Sequence, residues 1–199
     1  MADGPYHHGN LRAALLERAE VILTTSGAEG LTLRGLAREL GVSHAAPARH
    51  FRDRQALLDA LAVSGFTTLN ARLASAAGGG GGGPVGVRLA ALGRTYVDFA
   101  VEHTALLELM FAVKHADDSS DELRERGHES LLIVARLMEE GQQTGAVRPG
   151  DPVQLAQVAF STVHGLATLA IASLLDDTPL AEATELALEI LLAGLRPGA

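Results

Sequence analysis

The amino-acid sequence predicts an all-α protein of about nine helices, and three observations carry that expectation. Alanine and leucine supply 34 and 33 of the 199 residues, while aromatics are 4% and tryptophan is absent, a mixture rich in strong helix formers. Apolar residues recur at helical spacing through most of the chain, and no alternating strand pattern interrupts them. Gly78 to Gly83 is an unbroken run of glycines closed by Pro84, which cannot hold regular structure at reasonable entropic cost and reads as a flexible connector. No Gly-Lys-Ser/Thr follows it and no strand precedes it, so a phosphate-cradling loop is not expected there.

In chain order, Asn10 is the expected N-cap of a first helix that carries Leu11, Leu15, Ala19 and Ile22 until Ser26-Gly27 interrupts it. Thr32 caps a second, two-turn helix over Leu33–Leu40 with Leu33, Leu36, Ala37 and Leu40 on one face, and Gly41 stands where a left-handed stop is wanted. Ser43 is expected to cap a third helix running to about Phe51. Asp53 caps a fourth, with Leu57, Leu58, Leu61, Leu69 and Leu73 on its apolar side. Beyond the glycines, helical patterns cover about Val85–His103, Leu106–Val113, Ser120–Glu140, Val153–Leu175 and Leu180–Leu195.

Composition narrows the function. Cysteine is absent, which excludes disulfides, thiolate catalysis and thiolate metal sites and makes the cytoplasm the default location. Met1–Asn10 carries no basic patch followed by an apolar core, so a cleaved leader is not expected. Val153–Leu175 has no formal charge and is long enough to span a bilayer, yet its seven polar side chains and acidic flanks point to a helix buried in protein, not membrane. Net charge is −8, but residues 1–55 sum to +1 and residues 56–199 to −9. An acidic body with a neutral-to-basic head suits a protein that meets DNA at one end only.

The stretch Leu33–Phe51, LRGLARELGVSHAAPARHF, carries the function, because two short helices joined by Gly41-Val42-Ser43 form a helix-turn-helix pattern. Ala37, four residues before Gly41, supplies the small side chain needed where the second helix crosses the first, and Leu36, Leu40 and Val42 supply the seam. Together with Gly27-Ala28-Glu29-Gly30, Leu31-Thr32, His50-Phe51, Asp53 and Leu57-Leu58, this segment resembles the tetracycline-repressor (TetR) family over about residues 10–60. The resemblance implies a homodimeric transcriptional regulator, usually a repressor, of nine or ten helices in two domains. Its last two helices would pair with their mates on the partner, and a central cavity would take a small-molecule inducer that lowers affinity for a double-stranded DNA operator. On that pattern residues 1–54 form the DNA-binding domain and 55–199 the ligand-binding and dimerisation domain. The segment His164-Gly165-Leu166 also resembles a histidine-glycine motif of one subgroup.

Two residues depart from the family pattern: Ala48 stands where an aromatic usually contacts phosphate, and Pro47 occupies a usually apolar core position. The expected DNA-facing set is Thr32 and Arg34 at the start of the second helix, Ser43 at the start of the third, His44, Ala45 and Ala46 toward base edges, and Arg49, His50 and Arg54 toward phosphates. Tyr6, His7 and His8 form an arm that either follows the backbone of DNA or is disordered. The adjacent histidines lack further ligands at recognisable spacing, so no metal or other cofactor is expected.

Tyr96, Phe99, His103, Met110, Phe111, Phe160 and His164 are the side chains able to line an effector cavity, with core packing the alternative for each. The uncharged Val153–Leu175 helix and Ala183, Leu186, Ala187, Ile190 and Leu191 of the last helix offer a dimer seam. No nucleophile elbow, His-Glu-x-x-His helix or dinucleotide fingerprint is present, so an enzyme is not expected. The remaining alternative is a helical interaction module whose helix-turn-helix no longer binds DNA, which Pro47 and Ala48 would favour.

Overall fold

The computed structural model describes residues 11–78, 83–116 and 119–198. Among the described residues the chain forms eight α-helices and no strand: α1 (Leu11–Ser26), α2 (Leu33–Glu39), α3 (Arg54–Gly78), α4 (Val85–Glu102), α5 (Thr104–Lys114), α6 (Asp121–Gln143), α7 (Pro152–Ile171) and α8 (Leu180–Leu195). Two 3₁₀ turns, Ala28–Gly30 and Pro47–Arg49, complete the list. The chain divides into two compact units, Met1–Gly65 with Ala105–Leu123 and Phe66–Thr104 with Arg124–Ala199. Asn10, Tyr6, His7, His8 and most of the glycine run lie outside the described residues.

In the first unit α1 packs against α2 and the Ala28–Gly30 turn, and Leu15, Ala19, Leu36, Phe51, Leu57 and Leu61 are buried. Ala37 is fully buried, as the need for a small residue at the crossing requires. Thr32 caps α2 with extended backbone, its Oγ1 accepting from Gly35 N–H at 3.0 Å. Asp53 does the same for α3, where Oδ1 accepts from Ala56 N–H at 2.8 Å. Each such cap is worth about 1 kcal/mol. An ion pair between Arg18 and Glu39 ties α1 to the end of α2.

The second unit is built on α4, which packs against both α7 and α8. Tyr96, Val97, Phe99 and Ala100 from α4 are buried with Val163 and Ala167 from α7 and Leu188 from α8. Gly93 marks the closest approach. A Cβ built there would run into Leu188 Cδ2 and lie 3.4 Å from Val163 Cγ1, so any side chain at this position requires the Leu188 side chain to shift. Asp151 caps α7 by accepting from Val153 and Gln154 N–H at 2.8 and 3.2 Å, with Pro152 in the first turn, where its missing amide costs nothing.

The uncharged helix expected to reach Leu175 instead ends at Ile171. Ser173 takes the left-handed conformation (φ 56°), Leu174 N–H bonds to Leu169 C=O and Ser173 N–H to Ala170 C=O, closing the helix without the glycine that such an end usually shows. No helix among the described residues is long and apolar enough to cross a membrane.

Gly93→Val should therefore lower stability by about 1–3 kcal/mol, because the added atoms overpack the α4–α7–α8 crossing. Thermal unfolding followed by circular dichroism checks this, and an unchanged melting temperature would contradict the crossing described.

Candidate nucleic-acid interface

The geometry of the head begins with how α2 stops. Leu40 is the last near-helical residue, Gly41 adopts φ +65°, Val42 N–H bonds to Ala37 C=O at 3.0 Å and Gly41 N–H to Arg38 C=O at 3.3 Å. This is a Schellman closure, and the left-handed residue in it is cheap only for glycine. The chain leaves α2 sharply and enters the segment 43–50.

That segment is not the third helix expected from Ser43 to about Phe51. It is a turn followed by one 3₁₀ turn, Pro47–Arg49, and the reason is Pro47. An α-helix starting at Ser43 would need the amide of residue 47 to bond the Ser43 carbonyl, and proline has none. The Ser43 carbonyl instead accepts from Ala46 N–H at 2.9 Å, an i→i+3 bond, and the tighter winding continues with Arg49 N–H to Ala46 C=O. The expected Ser43 cap is thus replaced by its backbone carbonyl. Pro47 itself is buried, filling the apolar position, while Ala48 is exposed.

Of the predicted DNA-facing residues, Thr32, Arg34, Ser43, His44, Ala45, Arg49 and His50 are exposed and Ala46 is half-buried. Arg54 is half-buried and differs in kind: its guanidinium points into the head, Nε donating to Leu31 C=O at 3.1 Å and Nη2 to Ala28 C=O at 2.7 Å. Three arginines passed over in the sequence are also exposed. Arg38 lies one turn after Arg34 on α2, a spacing that could have been read; Arg12 sits over the Phe51 ring at 5.6 Å; and Arg52 pairs with Asp53 at 3.0 Å.

The residues proposed to line an effector cavity are divided between the two units. Met110 and Phe111 belong to the first unit, the other five to the second. Met110 packs against Gly65 of α3. Phe99 is fully buried, with His103 4.8 Å from its ring and Arg72 5.5 Å above it. Tyr96, Phe160 and His164 do meet. The Tyr96 hydroxyl lies 2.7 Å from His164 Nδ1, the Tyr96 and Phe160 rings meet edge-on at 5.6 Å, and Phe160 stacks on His164 at 5.1 Å. Burial pushes the Tyr96 phenol well above its usual range and pulls the His164 imidazole below its own. We assign the protonated phenol as donor to Nδ1 of a neutral ring. A separate groove of about 370 Å³ opens elsewhere in the second unit, lined by Leu89, Ala90, Arg94, Val147, Leu192 and Leu195, and none of the seven predicted residues borders it. Among the described residues no three His, Asp or Glu side chains are grouped to hold a metal ion.

A small helical unit with α2, a left-handed turn and a short second segment, in a chain that also holds a second helical unit, is the organisation of a helix-turn-helix regulator of transcription. Comparison with known proteins agrees. A family model described as "Bacterial regulatory proteins, tetR family" matches residues 15–61, and another described as "Tetracyclin repressor-like, C-terminal domain" matches residues 89–195. The chain belongs to the tetracycline-repressor family.

It is 49% identical to a solved structure of a protein with unknown function from Rhodococcus sp. RHA1, covering 97% of this chain and 99% of that one with a TM-score of 0.91. A TetR/AcrR-family transcriptional regulator from Thermobifida fusca YX-ER1 shares the fold at 22% identity, covering 94% and 99% of the two chains with a TM-score of 0.72. The class C tetracycline repressor protein of Escherichia coli is 46% identical over 56 residues, 28% of this chain and 26% of the repressor. The match thus spans about a quarter of that curated relative.

The Tyr96–His164 pair has a pH signature. Because the folded state holds the His164 pKa below that of the unfolded chain, the unfolded state binds more protons as pH falls below about 6.5, and stability declines with it. The melting temperature should fall between pH 7 and pH 5, and His164→Asn, which keeps an acceptor and cannot titrate, should flatten that fall. Parallel curves for the two proteins would exclude His164 as a contributor.

Proposed function

We propose that this regulator is a repressor that binds a palindromic operator as a homodimer and is released by a small, largely apolar ligand. One observation carries the DNA reading: the closure at Gly41 leaves Thr32 and Arg34 on one side of the turn and Ser43, His44, Ala45, Arg49 and His50 on the other exposed, while Leu36, Ala37 and Pro47 are buried beneath them. In this reading Arg34, Arg49 and His50 meet phosphates, Thr32 and Ser43 position the backbone, and His44, Ala45 and Ala46 meet base edges, the alanines against thymine methyl groups. Residues 1–54 are the DNA-binding part, and the remainder binds ligand and partner.

Dimerisation is supported by apolar residues that the single chain leaves in solvent: Val158 (58% exposed) and Leu169 on α7, and Leu186 and Ile190 (65%) on α8. Pairing these helices across a two-fold axis makes a four-helix seam and sets two heads about 34–36 Å apart, one turn of the duplex. For the ligand, Tyr96 and His164 supply the one or two polar contacts and Phe160 the aromatic wall.

Binding should weaken steeply with salt, because neutralised phosphates release counterions. Arg49→Ala is expected to weaken binding to all sequences alike and to reduce the log–log salt slope by about one, as read by fluorescence anisotropy. Salt-independent or absent binding would favour a helix-turn-helix that Pro47 and Ala48 have retired from DNA. Ile190→Glu should convert a dimer into a monomer in analytical ultracentrifugation, and a wild-type chain that sediments as a monomer would overturn the proposed seam.

A further inference from the structure

We infer that Arg54 does not neutralise a phosphate but is a positioning residue, a strap from the start of α3 that fixes where α2 begins. The inference rests on the reading of the head as a DNA-binding surface and concerns how that surface is held.

Arg54 is the first residue of α3, the end of a helix where a cation is least welcome. It is kept there by two carbonyl oxygens. Nε donates to Leu31 C=O at 3.1 Å and Nη2 to Ala28 C=O at 2.7 Å, so one edge of the guanidinium spans both. The two carbonyls bracket the 3₁₀ turn Ala28–Gly30, and the next residue in the chain is Thr32, whose hydroxyl caps α2. Leu31 is fully buried, which anchors this short connection from below while Arg54 holds its polar side.

Only a planar fork serves both acceptors at once. A lysine ammonium at the same position is a point charge on a flexible stem and lacks the paired, coplanar donors. A phosphate contact would accept either cation, whereas a strap requires arginine. The strap also gives the start of α3 a direct grip on the start of α2, so that a displacement of one is passed to the other through two hydrogen bonds and not through packing alone.

The test uses the full chain and a duplex selected by the wild-type protein from a random-sequence library. Affinity is measured across a salt series for wild type, Arg54→Ala, Arg54→Lys and, as the phosphate reference, Arg49→Ala. The expected result is that both Arg54 variants bind roughly tenfold more weakly, the cost of leaving charge-assisted hydrogen bonds unmade, with the wild-type salt slope retained. Amide hydrogen exchange over residues 31–37 should quicken in Arg54→Lys while exchange in α8 stays as in wild type, a local loosening that a general loss of stability would not give. A slope lowered by about one in Arg54→Ala and restored in Arg54→Lys would make Arg54 a phosphate ligand and overturn the inference. Wild-type affinity in Arg54→Lys would overturn it too, and this variant decides the matter if Arg54→Ala does not fold. If the wild-type chain selects no duplex, the DNA-binding reading fails, and the strap stands or falls on the exchange measurement alone.

Discussion

Pro47 has no amide hydrogen, and the head is arranged around that single missing donor. A recognition segment that wound as a full α-helix would present successive side chains every 100°, in register with its own axis. Here the Ser43 carbonyl turns to Ala46, the winding tightens, and only Pro47–Arg49 keeps a regular 3₁₀ form. The segment nevertheless keeps its place. Pro47 is buried against the head, and the Schellman closure at Gly41 aims the chain away from α2 before the proline is reached. Loss of helical regularity is confined to a few residues because both of its ends are fixed independently: by the left-handed glycine before it, and by Phe51, which is buried, after it.

The parts of this fold that could be read in the sequence are those decided within four or five residues. Thr32 and Asp53 are caps, Gly41 is a left-handed stop and Ala37 is a buried small residue, because each role depends on local hydrogen bonding or on the helical period. Pro47 was legible too: placed at the fourth residue after Ser43, it removes the first intrahelical bond and not one of the orphan donors, so the helix expected from Ser43 does not form. The end of α7 was beyond reach, since Ser173 in a left-handed conformation carries no sequence signal where glycine would. The hydrogen bonds of Arg54 were out of reach for a different reason. Its partners, Leu31 and Ala28, lie more than twenty residues away, and only tertiary structure brings their carbonyls to it.

The same distinction governs the second unit. Tyr96 and His164 are 68 residues apart in sequence and 2.7 Å apart in space, and nothing in either helix alone predicts the bond. A periodic apolar face predicts burial, and Tyr96 and Phe99 are buried. It does not say which buried side chains surround a space and which fill one. Phe99 fills one, and the groove bordered by Leu89 and Leu195 lies where α4 begins and α8 ends, positions that a search for aromatic and methionine stripes passes over.

Charge supplies the remaining link between sequence and function. The chain carries a net charge of −8, which would repel a polyanion if it were spread evenly. It is not spread evenly, and the structure adds a second partition to the first. In the body, Arg72, Arg88 and Arg94 are each engaged by a carboxylate, Glu102, Glu140 and Glu185 respectively, and the Arg72 and Arg94 guanidiniums are held charged by those bonds. In the head, Arg18 is likewise engaged by Glu39, and Arg54 by backbone carbonyls, but Arg34, Arg38 and Arg49 are exposed and make no ion pair among the described residues. Arg34, Arg38 and Arg49 thus place exposed positive charge beside the turn at Gly41, while Arg136, Arg148 and Arg196 of the second unit are also exposed and make no ion pair among the described residues. Because exposed charges act over roughly a Debye length, about 8–10 Å at physiological salt, the guanidiniums of Arg34, Arg38 and Arg49 are felt by a duplex that comes close to the turn at Gly41. A local concentration of exposed arginines lets a chain of net negative charge meet a polyanion at one segment.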